Sequence, residues 1–146
     1  MKQSKFGALV AAAAVSGMMM VNAGYAASFL TSNGMKVVGD PSANGRFEVL
    51  QRGGKGPSDY WCAAGQYVIQ ALGMSPGTRI YLDQKMGAGK MGIGNSAGYT
   101  AVPNAELLAI VESQSKGFAM STSKVGDNWP AEHSRAQCAT GRDRRR

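Results

Sequence analysis

Chemistry-bearing side chains are scarce in this chain. Its 146 residues hold one histidine, His133, and two cysteines, Cys62 and Cys138. A zinc site usually wants several His or Cys ligands. With both cysteines paired, His133 plus a carboxylate is too small a set. No serine sits in a G-x-S-x-G elbow, and a Ser-His-Asp site needs an orienting carboxylate as well. Met86 and Met91 are the only close methionines of the mature chain, and they do not repeat as a copper carrier's ligands would. No metal and no cofactor is therefore expected. Charged residues make up 17% of the chain. After residue 21 there is no run of about 18 apolar residues, so no membrane span is expected in the mature protein.

What the chain does have begins with a leader pattern. Lys2 and Lys5 precede an uncharged, Ala-, Val- and Met-rich run over residues 6–21, and small residues follow to Ala26. That layout predicts a secretory signal peptide over residues 1–26, cut after Ala26 or, as a second site, after Ala23. The run is shorter than the roughly 20 residues a membrane helix needs. Export to the periplasm or the medium is the expected localisation. The mature chain is then long enough for one domain, residues 27–141, followed by a short basic tail.

The whole chain carries +7 and loses two lysines with the leader, leaving +5. Arg135, Arg142, Arg144, Arg145 and Arg146 against Asp143 place +4 of that in the last twelve residues. The body is nearly neutral and has no basic stripe, so no nucleic-acid partner is expected. Residues 142–146 are read as a disordered basic tail able to touch anionic envelope surfaces weakly. In an exported chain two cysteines read as one disulfide, Cys62–Cys138. The closed loop of about 76 residues corresponds to roughly 4 kcal/mol of stabilisation at most.

Patterning predicts strands over residues 35–39, 46–52, 78–83, 97–102 and 117–124. Residues 46–52 set Phe47 and Val49 on one face and Glu48 and Leu50 on the other, after an Asn44-Gly45 turn pair. A helix is predicted over 59–72, capped by Ser58 and stopped at Gly73. Its inner face carries Trp61, Cys62, Gly65, Val68, Ile69 and Leu72, and Gly65 would admit a close neighbour. Residues 106–112 suit a helix or a strand. A last helix, capped by Asp127 or Asn128 with Pro130 in its first turn, should pass through Cys138 and end at Gly141. The expected fold is α+β, a small mostly antiparallel sheet packed on one central helix, with a short C-terminal helix tied to it by the disulfide.

The segments Phe47-Glu48-Val49, Tyr60-Trp61-Cys62-Ala63-Ala64, Arg79-Ile80-Tyr81 and Val125-Gly126-Asp127-Asn128, followed by His133 and Cys138, carry a resemblance. Over roughly residues 46–138 the chain resembles a set of small exported bacterial proteins of unknown function, with a Trp-Cys centre and a distant second Cys. The resemblance implies the disulfide and the order of elements, and no activity.

Three features could carry function. Gly87-Ala88-Gly89-Lys90-Met91-Gly92 matches G-x-G-x-x-G after a strand, but no helix start follows and no βαβ unit is present, so it is not a dinucleotide site. Met91 also stands where a phosphate loop needs Ser or Thr. What remains is a flexible loop, or an anion-binding nest with Lys85 and Lys90. Tyr60, Trp61 and Tyr67 could form a sugar-stacking surface, though Trp61 falls on the core face. His133 reads as a polar residue on the last helix. The expectation is a non-enzymatic, disulfide-stabilised envelope or secreted binding protein. The alternative is a small hydrolase with a site near His133.

Overall fold

The computed structural model describes residues 28–143. The leader expected over 1–26 and the tail residues 144–146 lie outside the described residues. Six strands form one sheet: β1 (Ser28–Leu30), β2 (Lys36–Gly39), β3 (Arg46–Leu50), β4 (Arg79–Ala88), β5 (Asn95–Thr100) and β6 (Asn128–Pro130). Their order is β1-β2-β3-β5-β4-β6, and the neighbouring strands pair antiparallel. Three helices accompany them, α1 (Pro57–Gln66), α2 (Ala105–Ser113) and α3 (Ala131–Asp143), and α1 runs on into a π-helical turn, Tyr67–Ala71. The fold is α+β, as expected.

Strand alternation builds the core. Val37, Phe47, Val49, Ile80, Leu82, Ala97 and Tyr99 are buried together with Trp61 and Ala64 of α1 and Val68 of the π-helical turn. Burying a side chain such as Phe47 stabilises by about 1.5–3 kcal/mol. Tyr99 lies between two other rings, stacked on Phe47 at 5.8 Å and edge-on to Trp61 at 4.9 Å. Both are favoured aromatic geometries. Every residue of α1 from Tyr60 to Gln66 is buried, because the sheet covers one side of the helix and α3 comes down on the other. That approach depends on Gly65. A Cβ there would stand 2.6 Å from the Ala131 carbonyl oxygen and 2.9 Å from the Ser134 carbonyl carbon. The Cys62–Cys138 disulfide joins the same two helices, with Cα atoms 4.9 Å apart.

Several elements differ from the sequence reading. α1 starts at Pro57, and Ser58 is not its cap. Pro57 suits the first helical position because it lacks an N–H, and Asp59 reaches back to accept from the Gly56 N–H at 3.0 Å. β4 extends to Ala88, well into the glycine-rich segment. The ambiguous residues 106–112 are helical, and the Asn104 side chain caps α2 by accepting from the Leu107 N–H at 2.8 Å. Residues 117–124 are not a strand. Their backbone is tied instead at single points: Ser121 N–H donates to Asp127 at 2.8 Å, Ser121 C=O accepts from the Trp61 indole at 2.9 Å, and Thr122 C=O accepts from Met86 at 2.7 Å. Asn128 and Pro130 lie in the edge strand β6, so neither Asp127 nor Asn128 caps the last helix and Pro130 is not in its first turn. The first N–H groups of α3 go to the segment just before β4, Ala131 to Thr78 C=O at 2.8 Å and Glu132 to Pro76 C=O at 2.9 Å. α3 continues to Asp143, so Arg142 and Asp143 extend the helix that patterning ends at Gly141. β1 has no counterpart in the sequence reading. Its Phe29 packs edge-on against Tyr67 at 5.8 Å.

Candidate functional site

Two regions concentrate polar chemistry, and the first lies on the sheet face turned away from α1. β3 sends Arg46 and Glu48 to that face by simple alternation. β4 breaks register between Leu82 and Gln84, and such a bulge re-aims side chains. Asp83 and Gln84 both reach the Arg46 guanidinium, at 2.8 and 3.2 Å. Gly98 of β5 leaves the necessary space, since a Cβ there would lie 2.8 Å from Arg46 Nη2 and 2.6 Å from Asp83 Oδ1. Arg46 also pairs with Asp40 and Glu48, each at 3.1 Å.

One buried guanidinium thus faces three carboxylates. Burial pulls the Arg46 pKa down, but the charge of Asp83 and hydrogen bonds to Asp83, Glu48 and Asp40 outweigh it and hold the value above the ordinary one. The Ser42 hydroxyl, which donates at 2.6 Å, is the largest influence holding Asp40 below its usual range, with Arg46 adding to it against desolvation. Glu48 is fully buried and fully engaged. Its Oε1 accepts from the backbone N–H groups of Lys90 at 2.9 Å and Met91 at 3.3 Å, and its Oε2 accepts from Ser96 Oγ at 2.9 Å. A Cβ on Gly89 would meet Ser96 Oγ at 2.5 Å.

The glycine-rich loop is therefore an anion nest whose anion is the chain's own Glu48. Lys90 contributes its backbone to that contact, whereas Lys85 is exposed on β4. Above the network lies a cavity of about 320 Å³, lined by Arg46, Asp83 and Lys90 from below and by Leu107 and Ile110 of α2. Asp83 Oδ1 is buried in this network without a hydrogen-bond partner among the described residues. The remaining contacts and the close packing make the network chiefly an organiser of the second sheet face.

The second region is a larger cleft of about 790 Å³ between the segment after α2, strand β6 and the start of α3. Trp129 and His133 line it as a stacked pair, with centroids 5.1 Å apart and planes 19° apart. The Trp129 indole N–H donates to Asp127 at 3.2 Å, which fixes the ring. Phe118 lines the same cleft and is fully exposed. Arg79, Lys116 and Lys124 bring positive charge to it, and Glu132 and Asp127 negative charge. Arg79 donates to the Asn128 side-chain oxygen at 2.7 Å, and Lys124 to the Ser115 carbonyl at 2.8 Å.

His133 lies on the last helix as expected, and its ring contact is the stack on Trp129. Tyr60, Trp61 and Tyr67 do not form a sugar platform, because all three are buried. Burial alone raises the Tyr67 pKa. Met86 is partly buried against the core. Among the described residues no group of three or more His, Cys, Asp or Glu could hold a metal ion, and no helix is long and apolar enough to cross a membrane. Sequence reading missed both the Arg46 network and the Trp129 platform. The available signals were the Arg46-Phe47-Glu48 alternation ahead of a glycine-rich loop, and a Trp and a His spaced by four. No protein-family model, no curated protein and no solved structure matches this chain.

Proposed function

We propose that the chain is an exported, disulfide-stapled binding domain whose ligand seat is the cleft of Trp129, His133 and Phe118. The leader pattern over residues 1–26, the Cys62–Cys138 bridge and the resemblance to small exported bacterial proteins support export. One observation carries the choice of site. The cleft holds a pinned aromatic pair beside a fully exposed phenylalanine, within a polar rim. Exposed apolar surface rimmed by polar groups is a mark of an interaction site, and a concave site with a few oriented polar groups is the usual form of a ligand seat.

The test is amide chemical-shift mapping of the isotope-labelled protein with three probes: chitotetraose, tetragalacturonate and a decapeptide of glutamate. Shifts centred on Phe118, Trp129 and His133 with any of them would support the seat. Shifts centred elsewhere, or none with all three, would overturn it. His133 lines the cleft, so the hydrolase alternative is tested at the same place. If His133→Ala abolishes cleavage of a bound probe while the protein stays folded, the cleft is an active site and the binding-only reading is wrong.

A further inference from the structure

Resting on that reading of the cleft as the seat, we infer that its ligand is an anionic saccharide, a sugar ring bearing carboxylates. The first ground is the imbalance of donors and acceptors. Arg79, Lys116 and Lys124 line the cleft. None of them takes part in an ion pair among the described residues. Arg79 and Lys124 donate to neutral oxygens, of Asn128 and Ser115, so neither is ion-paired. With Asp127 and Glu132 also lining the cleft, three cations face two carboxylates for a net positive charge.

Of the two carboxylates, Asp127 is already spent. It accepts from Ser121 N–H at 2.8 Å, Asn128 N–H at 3.1 Å and the Trp129 indole at 3.2 Å. Glu132 alone remains to accept from a ligand. A cleft with three cationic donors and one open carboxylate is matched by a ligand rich in anionic acceptors.

The second ground is the platform. The indole is held by its hydrogen bond and by the imidazole ring of His133 stacked at 5.1 Å. It is half-buried against the core and backs the exposed His133 ring. A fixed aromatic surface costs little entropy on binding and meets the flat C–H face of a pyranose, while Glu132 on the rim can accept from its hydroxyls.

An acidic peptide fits less well. Its main-chain route, addition to the edge strand β6, meets a strand of only three residues. Pro130 offers no N–H. The Asn128 N–H is taken by Asp127, and its C=O faces Arg79 at 3.5 Å. Main-chain pairing, the basis of strand addition, is therefore largely closed.

Calorimetric titration with the same three probes tests the inference, with shift mapping to confirm the site. Tetragalacturonate should bind about tenfold tighter than chitotetraose at low salt, the scale of two or three charge-assisted contacts. The gap should shrink in high salt as screening sets in. Lys116→Ala should narrow it as well, weakening tetragalacturonate more than chitotetraose. Phe118→Ala, at a fully exposed position, should weaken both sugars without lowering the melting temperature. Equal affinity for the two sugars, mapped to the cleft, would sink the anionic preference and leave the seat standing. Tighter binding of the glutamate decapeptide would replace the saccharide by a peptide. If no probe moves cleft resonances, both the seat and its ligand class fail.

Discussion

Replacing Gly65 by alanine sets two effects of opposite sign against each other. In an isolated helix the change stabilises by about 1 kcal/mol, because glycine is the poorer helix former. Here the new Cβ would stand 2.6 Å from the Ala131 carbonyl oxygen and 2.9 Å from the Ser134 carbonyl carbon, and would also strike the Arg135 amide nitrogen. Ordinary contacts begin near 3.4 Å, so α3 must retreat by roughly 1 Å. The obstacles are backbone atoms, which cannot swing aside as a side chain does. A gap of about 0.5–1 Å already forfeits a quarter to a half of the dispersion energy across an interface, and overpacking of this kind costs about 1–3 kcal/mol, occasionally more. The clash should win, for a net loss of about 2 kcal/mol. At about 4 °C per kcal/mol, the melting temperature should fall by roughly 8 °C. The disulfide should survive. Its Cα separation of 4.9 Å can grow by about 1 Å and stay within the range a disulfide spans. Thermal unfolding followed by circular dichroism, with thiol titration in denaturant, measures both quantities. An unchanged or raised melting temperature would mean that α3 does not lie on α1 at Gly65, and the reasoning would be wrong.

Three further outcomes follow from the polar face and the staple. Arg46→Met should destabilise by about 3–5 kcal/mol, because it leaves the buried Glu48 and the half-buried Asp40 and Asp83 without their cation; a urea midpoint close to that of the parent would refute this. Cys138→Ser should cost about 2–5 kcal/mol in urea unfolding under non-reducing conditions, and should lose that difference when both proteins are reduced. Asp40 has a folded pKa below its ordinary 3.8, so it contributes stability that is present above that value and lost as pH falls through the lower folded value. Asp40→Asn should therefore be less stable near neutrality and should lose less on acidification from about pH 6 to about pH 2. Parallel stability profiles for the two proteins would show that the Ser42 and Arg46 contacts do not hold the carboxylate.

Local rules explain what could be read in advance. Alternation of Phe47 and Val49 with Glu48 specified a strand with an apolar side, and helical spacing of Trp61, Cys62, Gly65 and Val68 specified the face that the core would cover. Two cysteines allowed one pairing. These properties are set within a few residues of the position concerned, or by counting. Residues 117–124 show where such rules stop. Their alternation of Phe118, Met120 and Thr122 suits a strand, but Asp127, Trp61 and Met86 take up the backbone groups that a strand partner would need.

The sequence by itself determined the α+β class, the apolar faces of the main strands and of α1, and the pairing of Cys62 with Cys138. Tertiary structure alone decided where the charges and rings that matter come together. Arg46 meets Asp83 and Gln84 only because β5 lies between β3 and β4, a bulge turns both partners to one face, and Gly98 leaves room above it. The glycine-rich loop resembles a site for an outside anion until the fold seats Glu48 in it. Phe118, Trp129 and Arg79 share a cleft because β6 closes the sheet edge beside β4 and the segment after α2 lies against it. These are contacts between residues far apart in the chain, so spacing along the sequence could not reveal them.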